Sequence, residues 1–291
     1  MCVKSEKKLK VITQILLKKF EERQPIPPHD IILPDAAVSF IKYDDDIDLE
    51  ANIEFLRITQ NEFPSDVMLD EKLSPNQQNE IRLLLQGFPD TLSDLPGRTQ
   101  RIEHTIRLVD DTPFRIKQYP LPVHAIDSID AEIDNMLSSG IIRRSSSPYA
   151  SPITVVMKKD KTIRLCIDFR RLNRITVFDA EPIPTLDELV SKLNGARYFT
   201  KCDLTKGYWQ IPLAEESKAY TAFQTPKGLM EFNFMPFGLS TAACTFQKAM
   251  IDTLGELDCV VSYFDDVLIF SNTYATYQKG IRNIASLRIY N

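Results

Sequence analysis

Sulfur and imidazole are scarce and scattered in this 291-residue chain. Its five cysteines (Cys2, Cys166, Cys202, Cys244, Cys259) never fall into a C-x-x-C spacing, and only three histidines accompany them. That argues against a structural zinc site and suits reduced thiols in an intracellular, cytoplasmic setting. No apolar run approaches the length of a membrane-spanning helix, and the opening MCVKSEKKLK lacks a secretory apolar region, so no membrane partner is expected. The D-[ST]-G triplet of an aspartic protease is missing from residues 1–96, and no chemistry is assigned there.

What is present is a soluble, globular composition long enough for one large domain or two ordinary ones. The net charge of −5 speaks against a nucleic-acid partner only as an average. Residues 28–70 hold eleven acidic and two basic side chains, whereas residues 143–174 hold nine basic and two acidic ones. A local charge of +7 over the second stretch is the footprint that phosphate contacts require.

Residues 1–23 carry Val11, Ile12, Ile15, Leu16 and Phe20 at helical spacing, a helix that packs on its own domain. The acidic stretch after it reads as linker or loosely packed surface. A helix is expected over Pro75–Gln86, ending at Gly87. RIEHTIRLV (101–109) alternates as a strand, and Ile126, Ile129, Ile133, Met136 and Leu137 line one face of a helix that stops at Gly140. ITVVM (153–157) and TIRLCIDFR (162–170) form a hairpin with Lys158, Lys159 and Lys161 near its tip. A further helix covers 185–193, then comes a strand over 198–204 carrying Asp203, and then a strand pair over 219–226 and 229–234. STAACTFQKAMIDTL is a helix expected to bury Ala243, Phe246, Met250 and Leu254. Two β-forming runs then flank Asp265-Asp266, as in a hairpin with carboxylates at its bend. The order is that of an α+β layer in which three carboxylates converge on one sheet edge.

None of these features is decisive by itself. Asp44-Asp45-Asp46 and Asp110-Asp111 are acidic runs with nothing catalytic around them, so an acidic pair is ordinarily a polar turn. A lysine-rich hairpin tip is ordinarily a solubility device, and Tyr208 beside Trp209 is ordinarily a core aromatic.

Six ordered blocks change that weighting: SSSPYASP, LCIDFRRLN, YFTKCDLTKGYWQIPL, TAFQTPKG, MPFGLSTAACTFQKAM and SYFDDVLIFS. Together they resemble the fingers and palm of a reverse transcriptase, with the greatest likeness to Pol polyproteins of gypsy-type long-terminal-repeat retrotransposons. The resemblance covers about residues 90 to 273. It implies a right-hand polymerase fingers–palm fold with an antiparallel palm sheet packed on helices. It divides the chain into a leader (1–75), a connector (76–100), fingers (101–178), palm (179–275) and a truncated tail (276–291) with the thumb absent.

The implied activity is RNA-directed DNA polymerisation: deoxynucleoside triphosphates are added to a primer 3′-hydroxyl on an RNA or DNA template. Two Mg²⁺ ions, for which Mn²⁺ can substitute, are held by the catalytic Asp203, Asp265 and Asp266. Tyr208 corresponds to the ring that excludes a ribose 2′-hydroxyl, which disfavours an RNA-making polymerase. Lys158 and Arg164 match residues that grip the triphosphate. Phe237 and Gly238 line the pocket of the nascent pair, and Gln247 and Tyr263 lie on the template–primer side. Within a whole polyprotein the setting would be a virus-like particle.

The chain departs from the family pattern at Lys161 in the fingers turn, at Thr241-Ala242-Ala243 opening the palm helix, at Cys202 and at Phe264. Ala275, Thr276 and Tyr277 replace the usual acidic helix start after the hairpin. The alternative reading is therefore a nucleic-acid-binding remnant that keeps the fold without extending a primer.

Overall fold

The computed structural model describes residues 51–53, 67–70, 72–88, 96–157, 163–179, 184–204, 206–263 and 266–286. Side chains are described in that set except at 51–53, 157, 163–164, 186–187 and 203. The expected amphipathic helix of residues 1–23 and the Asp160-Lys161 fingers turn lie outside it.

Helix α1 (Pro75–Gln86) begins where local chemistry says it should. Ser74 caps it, with its hydroxyl accepting from Gln77 N and the Gln77 side chain accepting from Ser74 N. Pro75 fills the first turn, where no amide is needed, and Gly87 closes the helix. Helix α2 (Ile126–Ser138) buries Ile129, Ile133 and Met136, with Ile126 and Leu137 half-buried, as their spacing requires. It ends at Gly140, whose φ of +68° is unfavourable for a side-chain-bearing residue. Short helix α3 (Arg170–Ile175) follows the hairpin strands, and α4 (Leu186–Lys192) starts from a second capping box, Thr185 with Glu188.

Nine strands are described, in three antiparallel sheets. The first has the order β1-β4-β3, where β3 (Ile153–Met157) and β4 (Ile163–Ile167) form the expected hairpin. Strand β1 (Ala51–Ile53) adds to the edge of β4, with Ala51 opposite Ile167. The acidic stretch is thus not linker throughout. The second sheet has the order β2-β7-β6: β2 (Ile142–Arg144), β6 (Phe223–Thr225) and β7 (Gly228–Phe232). The strand pair is shorter than expected because Ala219–Thr221 coils into a 3-10 turn. The third sheet has the order β5-β9-β8: β5 (Tyr198–Asp203), β8 (Val260–Tyr263) and β9 (Asp266–Ser271).

Residues 101–109 do not form the expected strand. The segment bonds to two different partners in turn, so no continuous ladder develops. His104 N donates to Pro212 O (2.8 Å) and Ala214 N donates to His104 O (3.0 Å), after which Val109 N donates to Ile175 O (2.7 Å).

One apolar core joins these layers. Phe169, Phe223 and Phe232 are fully buried between the first two sheets, with Phe223 and Phe232 centroids 5.2 Å apart. Helix α6 (Ala242–Leu254) packs on the third sheet through Phe246, Met250 and Leu254; α5 is the single turn Glu215–Lys218. Phe246, Met250 and Leu254 are buried as expected, but at the start of α6 the buried residues are Ala242 and Cys244, with Ala243 only half-buried. Helix α7 (Tyr274–Ser286) runs across position 275 and buries Tyr277, Ile281 and Ile284 in the same core. It lies so close to the sheet that a Cβ on Gly280 would sit 3.1 Å from both Cys259 Sγ and Ile269 Cγ2. Helix α1 packs against α7, with Tyr274 Oη donating to Gln77 O (3.0 Å) and Gln278 Nε2 donating to Glu80 Oε2 (2.8 Å).

Candidate active site

The third sheet sets the geometry of the carboxylates. In the β5–β9 ladder Asp203 lies directly opposite Asp266, and in the β8–β9 ladder Tyr263 lies opposite Asp266. Strands 4.7–4.9 Å apart thus bring together two acidic positions that are far apart in sequence. Phe264 and Asp265, between β8 and β9, lie outside the described residues. Asp266 begins the central strand, so the acidic residues meet at an end of the sheet, where strands terminate, rather than along its edge. Lys201 Nζ is 2.8 Å from Asp266 Oδ1, with side-chain exposures of 38% and 16%.

Beside the sheet end, the 3-10 turn Gly207–Gln210 presents Tyr208. The turn starts from Lys206, whose φ of +50° is unusual for a residue with a side chain. The Tyr208 ring stacks on Phe246 of α6 (4.9 Å, 29°) and meets Phe237 edge-on (4.7 Å, 60°). Gly207 makes this possible, since a Cβ there would come within 2.8 Å of Phe246 Cζ. Tyr208 remains half-buried, as do Phe237 and Gly238.

Gly238 adopts φ +86°, and its turn is pinned to α3 by one side chain. Asn173 Nδ2 donates to Gly238 O (2.8 Å), and Ser240 N donates to Asn173 Oδ1 (2.9 Å). Gln247 is buried, with Nε2 donating to Ser262 O (3.4 Å) on β8, so it stands behind the hairpin rather than on its surface. Tyr263 is half-buried, and desolvation raises its phenol above the ordinary value. Lys158 lies outside the described residues; Arg164 is described only through its backbone, opposite Val156 in the β3–β4 ladder.

Two supporting arrangements had no signal in sequence spacing. Asp168 receives a two-pronged bond from Arg170 (2.9 and 2.7 Å) and the Tyr119 hydroxyl (3.0 Å), and the Arg170 guanidinium holds its carboxyl below the ordinary value. His104 is buried against the start of α6, with Nδ1 2.8 Å from Thr245 Oγ1 and Nε2 3.3 Å from Thr241 Oγ1. Burial lowers its pKa to about 4 against an opposing pull from Asp179, so the ring is neutral at pH 7. Asp168, Arg170 and Asn173 all fall inside the block LCIDFRRLN, and Thr241 and Thr245 inside MPFGLSTAACTFQKAM, whereas Tyr119 and His104 lie outside all six blocks.

Among the described residues no cluster of three or more metal-ligating side chains appears. Asp265 and the Asp203 side chain stand outside that description, so the cluster is not complete in it.

Comparison with known proteins places this geometry in a family. Residues 156–287 match the model for reverse transcriptase (RNA-dependent DNA polymerase). The chain is 42% identical over 193 residues to the retrovirus-related Pol polyprotein from transposon 297 of Drosophila melanogaster, covering 63% of this chain and 18% of that one. It is 36% identical over 229 residues to the Pol polyprotein from transposon gypsy of the same organism, covering 76% and 22%. Its fold resembles the foamy viral protease–reverse transcriptase solved with an RNA/DNA hybrid: TM-score 0.66 at 22% identity, covering 73% of this chain and 29% of that one. The chain belongs to the reverse transcriptase family, and the relatives it matches are Pol polyproteins of retrotransposons. Its α+β architecture is the polymerase fingers and palm. The chain spans about a fifth of the length of the curated relatives it matches. The family is generally dependent on a divalent metal.

Proposed function

We propose that this chain adds deoxynucleotides to a primer 3′-hydroxyl, directed by an RNA or DNA template. The observation that carries the reading is the register that sets Asp203 opposite Asp266 at the end of the sheet beside the Tyr208 ring stack. The foamy viral relative in complex with an RNA/DNA hybrid supports a nucleic-acid duplex as the partner.

The donor set fits Mg²⁺, which takes hard oxygen ligands and commonly one or two protein carboxylates. An ammonium at 2.8 Å from Asp266 stands in for a cation at this position. Asp203 and Asp265 would hold two ions, with Asp266 as the third acidic member. When bound, the metal would supply a lowered pKa at the primer hydroxyl and charge neutralisation on the triphosphate. Lys158 and Arg164 would pair with phosphate oxygens, and Phe237 and Gly238 would floor the nascent base pair. Tyr208, held from below by Phe246, would exclude a 2′-hydroxyl. Gln247 would keep β8 and Tyr263 in place on the template–primer side. No base-specific readout is required, because a template reader accepts every base.

The test is extension of a primed RNA template by the chain beside its Asp265→Asn variant. Mg²⁺-dependent extension lost in the variant is expected. Duplex binding with no extension in either protein would favour a binding-only remnant and reject the polymerase reading for this chain.

A further inference from the structure

Lys201 lies in the block YFTKCDLTKGYWQIPL, which gave it no role, yet among the described residues it forms an ion pair with Asp266. It lies two residues before Asp203, so the two share a face of β5. Its register partner is Leu268, and its side chain reaches two residues along β9 to place Nζ 2.8 Å from Asp266 Oδ1. Diagonal neighbours on a ladder are about 7–8 Å apart, within reach of a lysine stem. The lysine is more exposed than its partner, 38% against 16%, so the ammonium can swing toward water while the carboxylate stays at the sheet end.

Acidic residues that meet at one end of a sheet, as Asp203 and Asp266 do in this register, repel one another, and a cation relieves that repulsion. Before any nucleotide arrives, the cation in place is the ammonium. We propose that Lys201 is a built-in counter-cation for Asp266 that weakens metal binding in the nucleotide-free protein, so that the divalent ion is held firmly only together with the triphosphate. The inference rests on the metal-site reading of Asp203, Asp265 and Asp266. A metal ion entering alone must either break the Lys201–Asp266 pair or share the site with a like charge. An ion entering with a triphosphate brings enough negative charge to offset both costs. Lys201 is therefore a positioning residue for the metal rather than a catalytic one.

The probe is Mn²⁺, with free ion measured by electron paramagnetic resonance, for the chain alone and with a deoxynucleoside triphosphate but no primer. Lys201→Met should tighten Mn²⁺ binding to the chain alone by about three- to tenfold, the scale of losing one partly exposed ion pair plus some like-charge repulsion. With nucleotide present, the difference from the unmodified chain should shrink to less than about twofold, and Lys201→Arg should behave as the unmodified chain does. Lys201→Gln serves as a second neutral variant, and circular dichroism checks that each variant is folded. Unchanged or weaker Mn²⁺ binding in both folded neutral variants overturns the inference.

Asp203→Asn and Asp265→Asn separate this outcome from failure of the site itself. If they leave Mn²⁺ binding intact, the metal-site reading fails. If they abolish it while the Lys201 variants change nothing, only the counter-cation inference fails. Absence of binding in every protein overturns the metal-site reading and the inference with it.

Discussion

His104 gives the most quantitative prediction. Its ring is buried where the 101–109 segment crosses the start of α6, within hydrogen-bond distance of Thr241 and Thr245. Burial lowers its pKa to about 4 from 6.5, while Asp179 draws it partly back. A base depressed in the fold binds fewer protons folded than unfolded, so stability is complete above pH 6.5 and falls as pH drops toward 4. Between those two values the penalty grows by about 1.4 kcal/mol per pH unit, which makes it about 2 kcal/mol at pH 5. The folded state then loses a bond as well, since a doubly protonated ring cannot accept from a threonine hydroxyl. The assay is urea unfolding at pH 7.5 and pH 5, for the chain and for His104→Gln. The variant starts less stable because it loses shape and bonds, but it has no proton to take up. The expected result is that acidification costs the chain about 2 kcal/mol more than it costs the variant. Equal acid losses would refute the reasoning, since the carboxylates common to both proteins, including Asp168, would then account for the whole pH dependence.

Three further outcomes are expected. Gly280→Val should destabilise the chain by about 1–3 kcal/mol in urea unfolding, because the added carbons press on Cys259 and Ile269 between α7 and the sheet. Asn173→Ala should cost roughly 1–3 kcal/mol by the same assay, leaving Gly238 O and Ser240 N without their side-chain partner. Tyr208→Ala should raise ribonucleotide incorporation relative to deoxynucleotide incorporation in primer extension, and an unchanged ratio would reject Tyr208 as the sugar gate.

Much of the fold was legible because its signals are local. Ser74 with Gln77, and Thr185 with Glu188, announce helix starts through bonds that span three residues. Ile129, Ile133 and Met136 show their common face by helical spacing alone. Local signals also mislead when partners lie elsewhere. Residues 101–109 alternate like a strand, but a strand requires a continuous neighbour, and this segment passes from Pro212 to Ile175. Ala51–Ile53 looks like linker because its acidic surroundings suggest solvent, whereas its backbone bonds are supplied by β4. On α6 only Ala243 departs from the expected buried set, because Ala242 and Ala243 are alike in hydrophobicity and only their packing distinguishes them.

The site divides along the same line. Its residue types were visible as blocks, and the hairpin made Asp265-Asp266 an acidic turn between two strands. Position required more, because Asp203 meets Asp266 only when β9 is inserted between β5 and β8 as the central strand. That insertion decides what surrounds each carboxylate. It gives Asp266 a neighbour on both sides, Tyr263 from β8 and Asp203 from β5, and brings Lys201 within a single ion-pair distance. A lysine two residues before an aspartate is unremarkable in a sequence. On a strand it shares that aspartate's face, and across this ladder it becomes the nearest positive charge to a second carboxylate that lies more than sixty residues away. The chemistry of the site therefore depends on strand order as much as on the acidic residues themselves.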